Sequence, residues 1–295
     1  MSAILPAGSR LAVVAPSHDY NPERLEAGMR WARDQGWAPV LMGSREPYRR
    51  FAAEPARRLE RLVRALSSPE FDACWIVRGG SGLLQLLDPL CSAELVPRPI
   101  IGFSDVTALF CALHRRADWT LVHGPVLHSV PVTDASSLQA LAHMLRDDPA
   151  LSLEGTWATR AEPVHAPVVG GNLSLLAATC GTAHQLNARG HILVLEEIGE
   201  QPYRIERLLQ QLMSSGVFDG VAAVALGEFL DCRPPHGAAW SLEDALRDVL
   251  APLDVPVVGG LPIGHGSTNM PFIWGQDANL AGTSLELRGT SPALS

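Results

Sequence analysis

The sequence predicts an α/β fold in which a doubly wound, mostly parallel sheet domain is followed by a smaller, β-rich α/β domain. Over the first half of the chain, short apolar runs of strand length alternate with segments of helical periodicity. This alternation is typical of parallel βαβ units. The run at 73–77 is almost wholly apolar, as expected of a strand that is covered on both faces. In the second half the helices are shorter, and glycines separate the apolar runs.

The elements of the first half follow from these patterns. In chain order we predict a strand at 11–15, a helix at 22–35, a strand at 37–42, a helix at 54–66, a strand at 73–77, a helix at 83–87, a strand at 100–101, a helix at 106–113, a strand at 120–122 and a helix at 136–145. Pro22 suits the first turn of a helix, and Gly36 suits its C-terminal end. In the second helix, leucines and a valine recur at helical spacing, which places the arginines on the other face.

Periodicity is lost over 148–166, where polar residues and prolines accumulate, and we interpret this stretch as a linker. The predicted domains are therefore 1–147 and 167–295. For the second domain we predict, in order, a helix leading from Gly170-Gly171-Asn172 through Cys180, a strand at 191–195 ending at Glu196-Glu197, a helix at 204–213, a strand at 221–226, a helix at 242–250 and strands at 255–258 and 280–287.

Composition narrows the possible functions. The chain has 295 residues and a net charge of −8, and no block of lysine and arginine occurs, so a nucleic-acid partner is not expected. No window approaches the twenty apolar residues of a membrane span, and the first ten residues lack a signal-peptide pattern. The five cysteines are widely spaced and form no C-x-x-C pair. We therefore expect a cytoplasmic protein without a disulfide framework.

Ser104 lies where a predicted strand turns into a helix, in the segment Gly102-Phe103-Ser104-Asp105. A serine on such a turn can point its hydroxyl at a substrate, as in the nucleophile elbow, although the second glycine of that motif is replaced by Val106. The alternative is that Ser104 or Asp105 caps the helix by accepting its free N–H groups. Spacing alone leaves both interpretations open.

Other polar groups also follow predicted strands. Arg78-Gly79-Gly80 and His123-Gly124-Pro125 should meet Ser104 at the carboxyl edge of the first sheet, where α/β proteins place their sites. The glycine turn at 79–82 could hold a phosphate or offer backbone N–H groups to an oxyanion. In the second half, Glu196 and Glu197 end an apolar strand and either form an ion pair with Arg204 or Arg207 or have a functional role. His265, flanked by two glycines, is either a structural residue or a general base.

These segments resemble the LD-carboxypeptidases (muramoyltetrapeptide carboxypeptidases), which have the microcin-immunity peptidases as a sister group. The similar residues span nearly the whole chain. They are Ala15-Pro16-Ser17, Phe51-Ala52, Arg57, Leu59, Arg78-Gly79-Gly80, Gly82, Gly102-Phe103-Ser104-Asp105, Thr107-Ala108, His123-Gly124-Pro125, Gly170-Gly171-Asn172-Leu173, Leu195-Glu196-Glu197, Pro202-Tyr203-Arg204-Ile205-Glu206-Arg207, Gly264-His265, Asn269, Pro271 and Gly275.

The resemblance implies a Ser-His-Glu triad contributed by both domains, with Ser104 as nucleophile, His265 as general base and Glu196 orienting the imidazole. It implies an oxyanion hole made of the backbone N–H groups of Gly80 and Asp105, a homodimer, no cofactor and no metal. Candidates for binding the substrate are Arg78, Ser81, Asn172 and Arg204.

Two departures from the family pattern concern the substrate pocket. Ser81 stands where tyrosine is usual, and Gln85 stands where arginine is frequent. Neither departure removes a residue of the implied triad. Both bear on which substrate the pocket accepts.

The implied activity is that of a serine carboxypeptidase that releases the terminal D-Ala of murein tetrapeptides by cleaving an L–D bond during cell-wall recycling. One alternative is an immunity-type peptidase or amidase acting on a peptidyl-nucleotide or another amide. A further alternative is a non-catalytic muropeptide-binding protein, in which Ser104, Glu196 and His265 have structural roles only.

Overall fold

The computed structural model describes residues 3–116 and 118–289. Its chain divides into two units. The first contains the chain up to Pro149 together with Pro271–Ile273, and the second runs from Ala150 to Met270 and resumes at Trp274. The predicted fold class, a mostly parallel α/β domain followed by a β-rich α/β domain, is confirmed.

The first unit is built on a six-stranded sheet with the order β12-β5-β4-β3-β1-β2. Its strands are β1 (Arg10–Val14), β2 (Ala38–Leu41), β3 (Ala73–Ile76), β4 (Ile100–Gly102), β5 (Leu121–His123) and β12 (Phe272–Ile273). All neighbours are parallel except β12, which pairs antiparallel with β5. The direction of strand addition reverses between β1 and β3, and ligand sites of doubly wound folds lie at such a point.

Helices cover both faces of this sheet. They are α1 (Pro22–Asp34), α2 (Pro55–Ser67), α3 (Leu87–Cys91), α4 (Val106–Leu113) and α5 (Ala135–Arg146), with short 3-10 helices at Leu83–Gln85 and Leu127–Val132. On one face, the core joins strand residues such as Val13 and Trp75 to α1 through Leu25 and to α5 through Leu141. Because every residue of β3 is buried, its apolar composition fits a central strand.

The second unit contains an eight-stranded sheet with the order β6-β14-β13-β8-β9-β10-β11-β7. Its strands are β6 (Leu151–Glu154), β7 (Trp157–Ala158), β8 (Val164–Asn172), β9 (Ile192–Ile198), β10 (Ala223–Leu230), β11 (Val257–Gly259), β13 (Asp277–Ala281) and β14 (Ser284–Leu287). The strands β8 to β11 are mutually parallel, and the outer strands are antiparallel. The helices of this unit are α6 (Leu173–Ala178), α7 (Pro202–Ser214) and α8 (Leu242–Leu250).

The stretch 148–166 is not the irregular linker that we predicted. It contains β6, β7 and the beginning of β8, and β6 and β7 are the two edge strands of the second sheet. Only Leu153 of β6 is buried. An edge strand that contributes so few residues to the core has the polar composition of a loop, and the sequence pattern therefore did not reveal it.

A second difference concerns Glu196 and Glu197, which we placed at the end of a strand. They lie inside β9, where Glu196 is opposite Asn172 and Glu197 is opposite Phe229. The helix predicted at 83–87 is likewise divided between a 3-10 turn and α3.

Candidate active site

Ser104 lies between β4 and α4 in an unusual backbone conformation. Its φ is +64°, in the left-handed region that non-glycine residues seldom occupy. Backbone strain of this kind is a feature of serine nucleophiles on strand-to-helix turns. No side-chain hydrogen bond caps α4, so the alternative that Ser104 or Asp105 is a side-chain cap is wrong.

The glycine turn after β3 packs directly against Ser104. A Cβ atom at Gly79 would lie 2.8 Å from the Cβ of Ser104 and 3.0 Å from its Oγ, so no larger residue fits there. The N–H of His18 donates to the carbonyl of Gly79 (3.3 Å), which joins the loop after β1 to the same turn. The first unit thus brings Ser104 together with the segment 78–82, as we predicted from the strand ends.

Asp105 joins these loops through its side chain. Its carboxylate is fully buried, and Oδ2 accepts hydrogen bonds from the Ser17 hydroxyl (2.6 Å) and from the Leu83 N–H (3.0 Å). Burial raises the pKa of Asp105, and this effect outweighs the opposing effect of the two hydrogen bonds. The residue after Ser104 therefore fixes the positions of the loops after β1 and β3.

Arg58 fixes the same loops from another side. Its guanidinium is fully buried and donates to the carbonyls of Pro16 (2.5 Å) and Gly82 (3.1 Å) and to the amide oxygen of Gln85 (2.7 Å). Gln85, one of the two departures from the family pattern, is thus a partner of this arginine.

His123 is part of the packing beneath these loops. Its buried ring stacks on Phe272 with ring centroids 4.7 Å apart and meets Phe103 edge-on at 6.0 Å. The neighbouring Gly124 donates its N–H to the carbonyl of Gly102 (3.2 Å).

The second unit brings Glu196 and His265 together. Nδ1 of His265 lies 2.6 Å from Oε2 of Glu196, which is fully buried, whereas the imidazole side chain is 13% exposed. Burial alone would lower the pKa of His265, but the charge and hydrogen bond of Glu196, supported by Glu197 and Glu228, raise it overall. A carboxylate at Nδ1 holds the proton there and leaves the lone pair on Nε2.

Glu197 is also buried, on the opposite face of β9, because adjacent side chains of a strand alternate. Its carboxylate accepts from the side-chain amide of Asn172 (3.1 Å) and from the backbone N–H of Ser174 (2.8 Å) at the start of α6. Neither glutamate pairs with Arg204 or Arg207, so the alternative of an ion pair with these arginines is wrong. Arg204 is exposed and contacts Glu200 (3.4 Å) and the Tyr203 hydroxyl.

Sequence reasoning missed Glu228. Its Oε2 accepts the backbone N–H of Gly266 (2.6 Å), next to His265, and a Cβ atom at Gly266 would collide with this carboxylate. Glu228 lies where the pairing of β9 and β10 shifts register between Leu226 and Phe229. Such irregularities re-aim side chains beside functional sites. The glycine after His265 was the only signal in the sequence.

Among residues 3–116 and 118–289, no group of three or more histidine, cysteine, aspartate or glutamate side chains is arranged to hold a metal ion. No helix in the same part of the chain has the length and apolarity to cross a membrane.

Comparison with known proteins agrees with these observations. The chain matches the LD-carboxypeptidase N-terminal domain over residues 11–124 and the LD-carboxypeptidase C-terminal domain over residues 165–280. It is 36% identical to a murein tetrapeptide carboxypeptidase of Pseudomonas aeruginosa, and the match covers 95% of each protein.

Solved structures show the same architecture. A muramoyltetrapeptide carboxypeptidase from Oxalobacter formigenes matches with a TM-score of 0.82 and 26% identity, over 95% of this chain and 100% of the other. The microcin C7 self-immunity protein in complex with aspartyl sulfamoyl adenosine shares the fold, with a TM-score of 0.82 at 20% identity over 100% and 99% of the two chains. The resemblance read from the motifs is confirmed, and this peptidase chain belongs to the LD-carboxypeptidase family.

Proposed function

We propose that the protein is a serine carboxypeptidase that cleaves the L–D peptide bond releasing the terminal D-Ala of murein tetrapeptides. The observation that supports this most directly is the hydrogen bond of 2.6 Å between His265 and the buried Glu196. A histidine oriented in this way has the form of a general base. The 36% identity to a murein tetrapeptide carboxypeptidase supports the substrate class.

In the proposed mechanism the Ser104 hydroxyl attacks the carbonyl carbon of the scissile bond, and Nε2 of His265 takes its proton. Glu196 stabilises the imidazolium that forms. His265 then gives the proton to the leaving amine, D-Ala departs, and water hydrolyses the acyl-enzyme to release the tripeptide.

The backbone N–H groups of Gly80 and Asp105 are proposed as the oxyanion hole. The close packing of Gly79 on Ser104 supports this assignment, because the turn carrying Gly80 lies beside the nucleophile. Asp105 follows Ser104 directly, so its N–H begins the helical turn of α4.

Four residues are proposed to contact the peptide: Arg78, Ser81, Asn172 and Arg204. Arg78 and Ser81 belong to the turn beside Ser104. The side-chain oxygen of Asn172 caps α6, and its side-chain NH2 donates to Glu197. Its effect on substrate binding would therefore depend on the pair that it forms with Glu197. Arg204 remains exposed at the start of α7.

We also propose that the enzyme acts in cell-wall recycling, in the cytoplasm, as a homodimer. The cytoplasmic location is supported by the five cysteines, none of which forms a disulfide.

The test is to incubate the purified protein with a murein tetrapeptide and to measure free D-Ala by mass spectrometry. Ser104→Ala should abolish release, whereas Ser136→Ala, which changes an exposed serine of α5, should leave it unchanged. Release by Ser104→Ala at the wild-type rate would refute the mechanism. Hydrolysis of a peptidyl-nucleotide conjugate with the tetrapeptide left intact would favour the immunity-type alternative.

A further inference from the structure

Two arginines beside the glycine turn have no acidic partner. Three other arginines of this region do: Arg45 pairs with Asp19, Arg57 with Glu60 and Arg61 with Glu46. Among the residues that the structure describes, Arg50 and Arg78 form no ion pair with a carboxylate. Unpaired positive charge at one place is notable in a chain with a net charge of −8.

These arginines lie around Ser81. Nε of Arg50 donates to Oγ of Ser81 (3.3 Å), and the same hydroxyl lies 3.1 Å from Nε2 of His18. Arg78 donates through Nη1 to the backbone carbonyl of Asp19 (2.6 Å), the residue that follows His18. The charged groups, a hydroxyl and an imidazole therefore converge on one turn.

The same turn contacts Ser104 through Gly79. Two peptide steps separate Gly79 from Ser81, so their Cα atoms are at most about 7.6 Å apart. In a peptide about to lose its last residue, three bonds separate the attacked carbonyl carbon from the terminal carboxylate carbon, a path of about 4.3 Å. A group that binds this carboxylate must therefore lie within a side chain's length of the nucleophile.

Two of the three charges that act on His18 are positive. Burial lowers the pKa of His18, and the charges of Arg78 and Arg50 lower it further, against the opposing effect of Asp105. Both guanidinium groups therefore disfavour the protonated form of this imidazole. Such a setting favours an anion, and arginine binds carboxylates in a fixed geometry.

We propose that Arg50, Arg78 and Ser81 form the subsite that binds the C-terminal carboxylate of the residue released from the substrate. This assignment rests on the proposed function and names the part of the substrate that the turn recognises. It also gives Ser81 a role. Where the family usually has a tyrosine ring, the small serine side chain leaves room for Arg50 to lie beside the turn and to donate to its hydroxyl.

Arg50→Gln tests the subsite, with Arg49→Gln as the matched control. Both residues are exposed and adjacent, but Arg49 stacks on Tyr48 and does not contact the turn. We expect Arg50→Gln to raise KM for the tetrapeptide about 10- to 100-fold with little change in kcat, as for a lost hydrogen bond to a charged group. Ser81→Ala should produce a smaller increase, and Arg49→Gln none.

Binding to two peptides identifies which carboxylate is recognised. In a Ser104→Ala background, the dissociation constant is measured by calorimetry for the tetrapeptide and for its C-terminal amide. Arg50→Gln should raise the dissociation constant of the tetrapeptide by the same factor as its KM. The dissociation constant of the C-terminal amide should change by less than about twofold.

Each remaining outcome counts against the subsite. Equal weakening for acid and amide would mean that Arg50 binds a carboxylate elsewhere in the peptide, and no weakening for either would remove Arg50 from the site. D-Ala release that is insensitive to Arg50→Gln would refute the subsite alone. Absence of release by the wild-type protein would refute the proposed function and the subsite with it.

Discussion

Oε2 of Glu196 and Nδ1 of His265 are joined by a hydrogen bond of 2.6 Å, although 69 residues separate them in the sequence. The carboxylate is inaccessible to solvent, and Glu197 points to the other face of β9 and binds the start of α6. The two adjacent glutamates thus have different partners. Only Glu196 is placed to orient an imidazole.

Replacing Glu196 by glutamine should move the pH profile of the enzyme. Glu196 raises the pKa of His265, and a general base must be unprotonated, so the acid limb of kcat/KM reports this pKa. Removing the charge lowers the pKa and shifts the limb to lower pH, while loss of the correct tautomer lowers kcat by about 10³-fold or more. Steady-state kinetics between pH 5 and 9 measure both effects.

Glu206→Gln is the control for this experiment, since Glu206 is an exposed residue of α7. It should leave the limb and kcat unchanged. If the acid limb of Glu196→Gln stayed where it is in the wild type, His265 would not be the group that titrates.

The same pair should make folding stability depend on pH. Because the pKa of His265 in the folded protein is above its ordinary value near 6.5, protonation favours the folded state. This contribution is complete below about pH 6.5 and is lost as the pH rises through the raised pKa. We expect the free energy of unfolding of the wild type, relative to His265→Gln, to be larger at pH 6 than at pH 9. Urea denaturation of both proteins measures it, and a difference independent of pH would contradict the assignment.

Asp105 should make stability depend on pH in the same direction, because its pKa in the folded protein is also raised. Burial raises the pKa of Asp105, so the unfolded chain loses this proton first as the pH rises. Once the pH exceeds the pKa of an ordinary aspartate, the buried charge therefore destabilises the folded protein. Asparagine can still accept from Ser17 and from the Leu83 N–H without this charge. Asp105→Asn should therefore be at least as stable as the wild type at pH 7, with the gap closing at pH 4.

Asp105→Ala supplies the comparison for this prediction. It leaves two buried donors without an acceptor and should cost about 1–3 kcal/mol in the free energy of unfolding at pH 7. Finding Asp105→Asn no more stable than Asp105→Ala would show that the carboxylate charge itself is needed.

Sequence patterns predicted the first unit well because local signals and global fold agree there. Alternating apolar runs predicted the parallel sheet, and the residues of α4 agree with the predicted 106–113. The convergence of the glycine turn, Ser104 and His123 at one sheet edge follows from strand direction alone. The roles proposed for Ser104, Glu196 and His265 came from the family resemblance, since spacing left each of them with an alternative.

What could not be predicted depends on partners far away in the chain. Nothing local shows that both Glu196 and Glu197 are buried, because their partners are a histidine in one loop and a helix start in another segment. Glu228 acts through a backbone N–H, which has no signature in the sequence. Arg58 was assigned with the other arginines to the exposed face of α2, yet it is fully buried because four oxygen acceptors from three segments surround it.

Arg58→Lys should therefore be far more damaging than a conservative change on a helix surface. A lysine cannot reach the carbonyls of Ala53, Pro16 and Gly82 together, and it loses the stacking of the guanidinium on Phe51 at 4.4 Å. Each buried acceptor left unpaired costs about 1–3 kcal/mol, so we expect the free energy of unfolding to fall by about 2–4 kcal/mol.

The neighbouring Arg57→Lys is the matched control. Arg57 is exposed and forms a surface pair with Glu60 (2.8 Å), so its replacement should change stability by less than about 0.5 kcal/mol. Urea denaturation of the two variants measures the contrast. Because Pro16 and Gly82 belong to the loops that approach Ser104, Arg58→Lys should also lower kcat at temperatures where it remains folded. Equal stabilities of the two variants would mean that water replaces the guanidinium, and that Arg58 does not hold these loops in place.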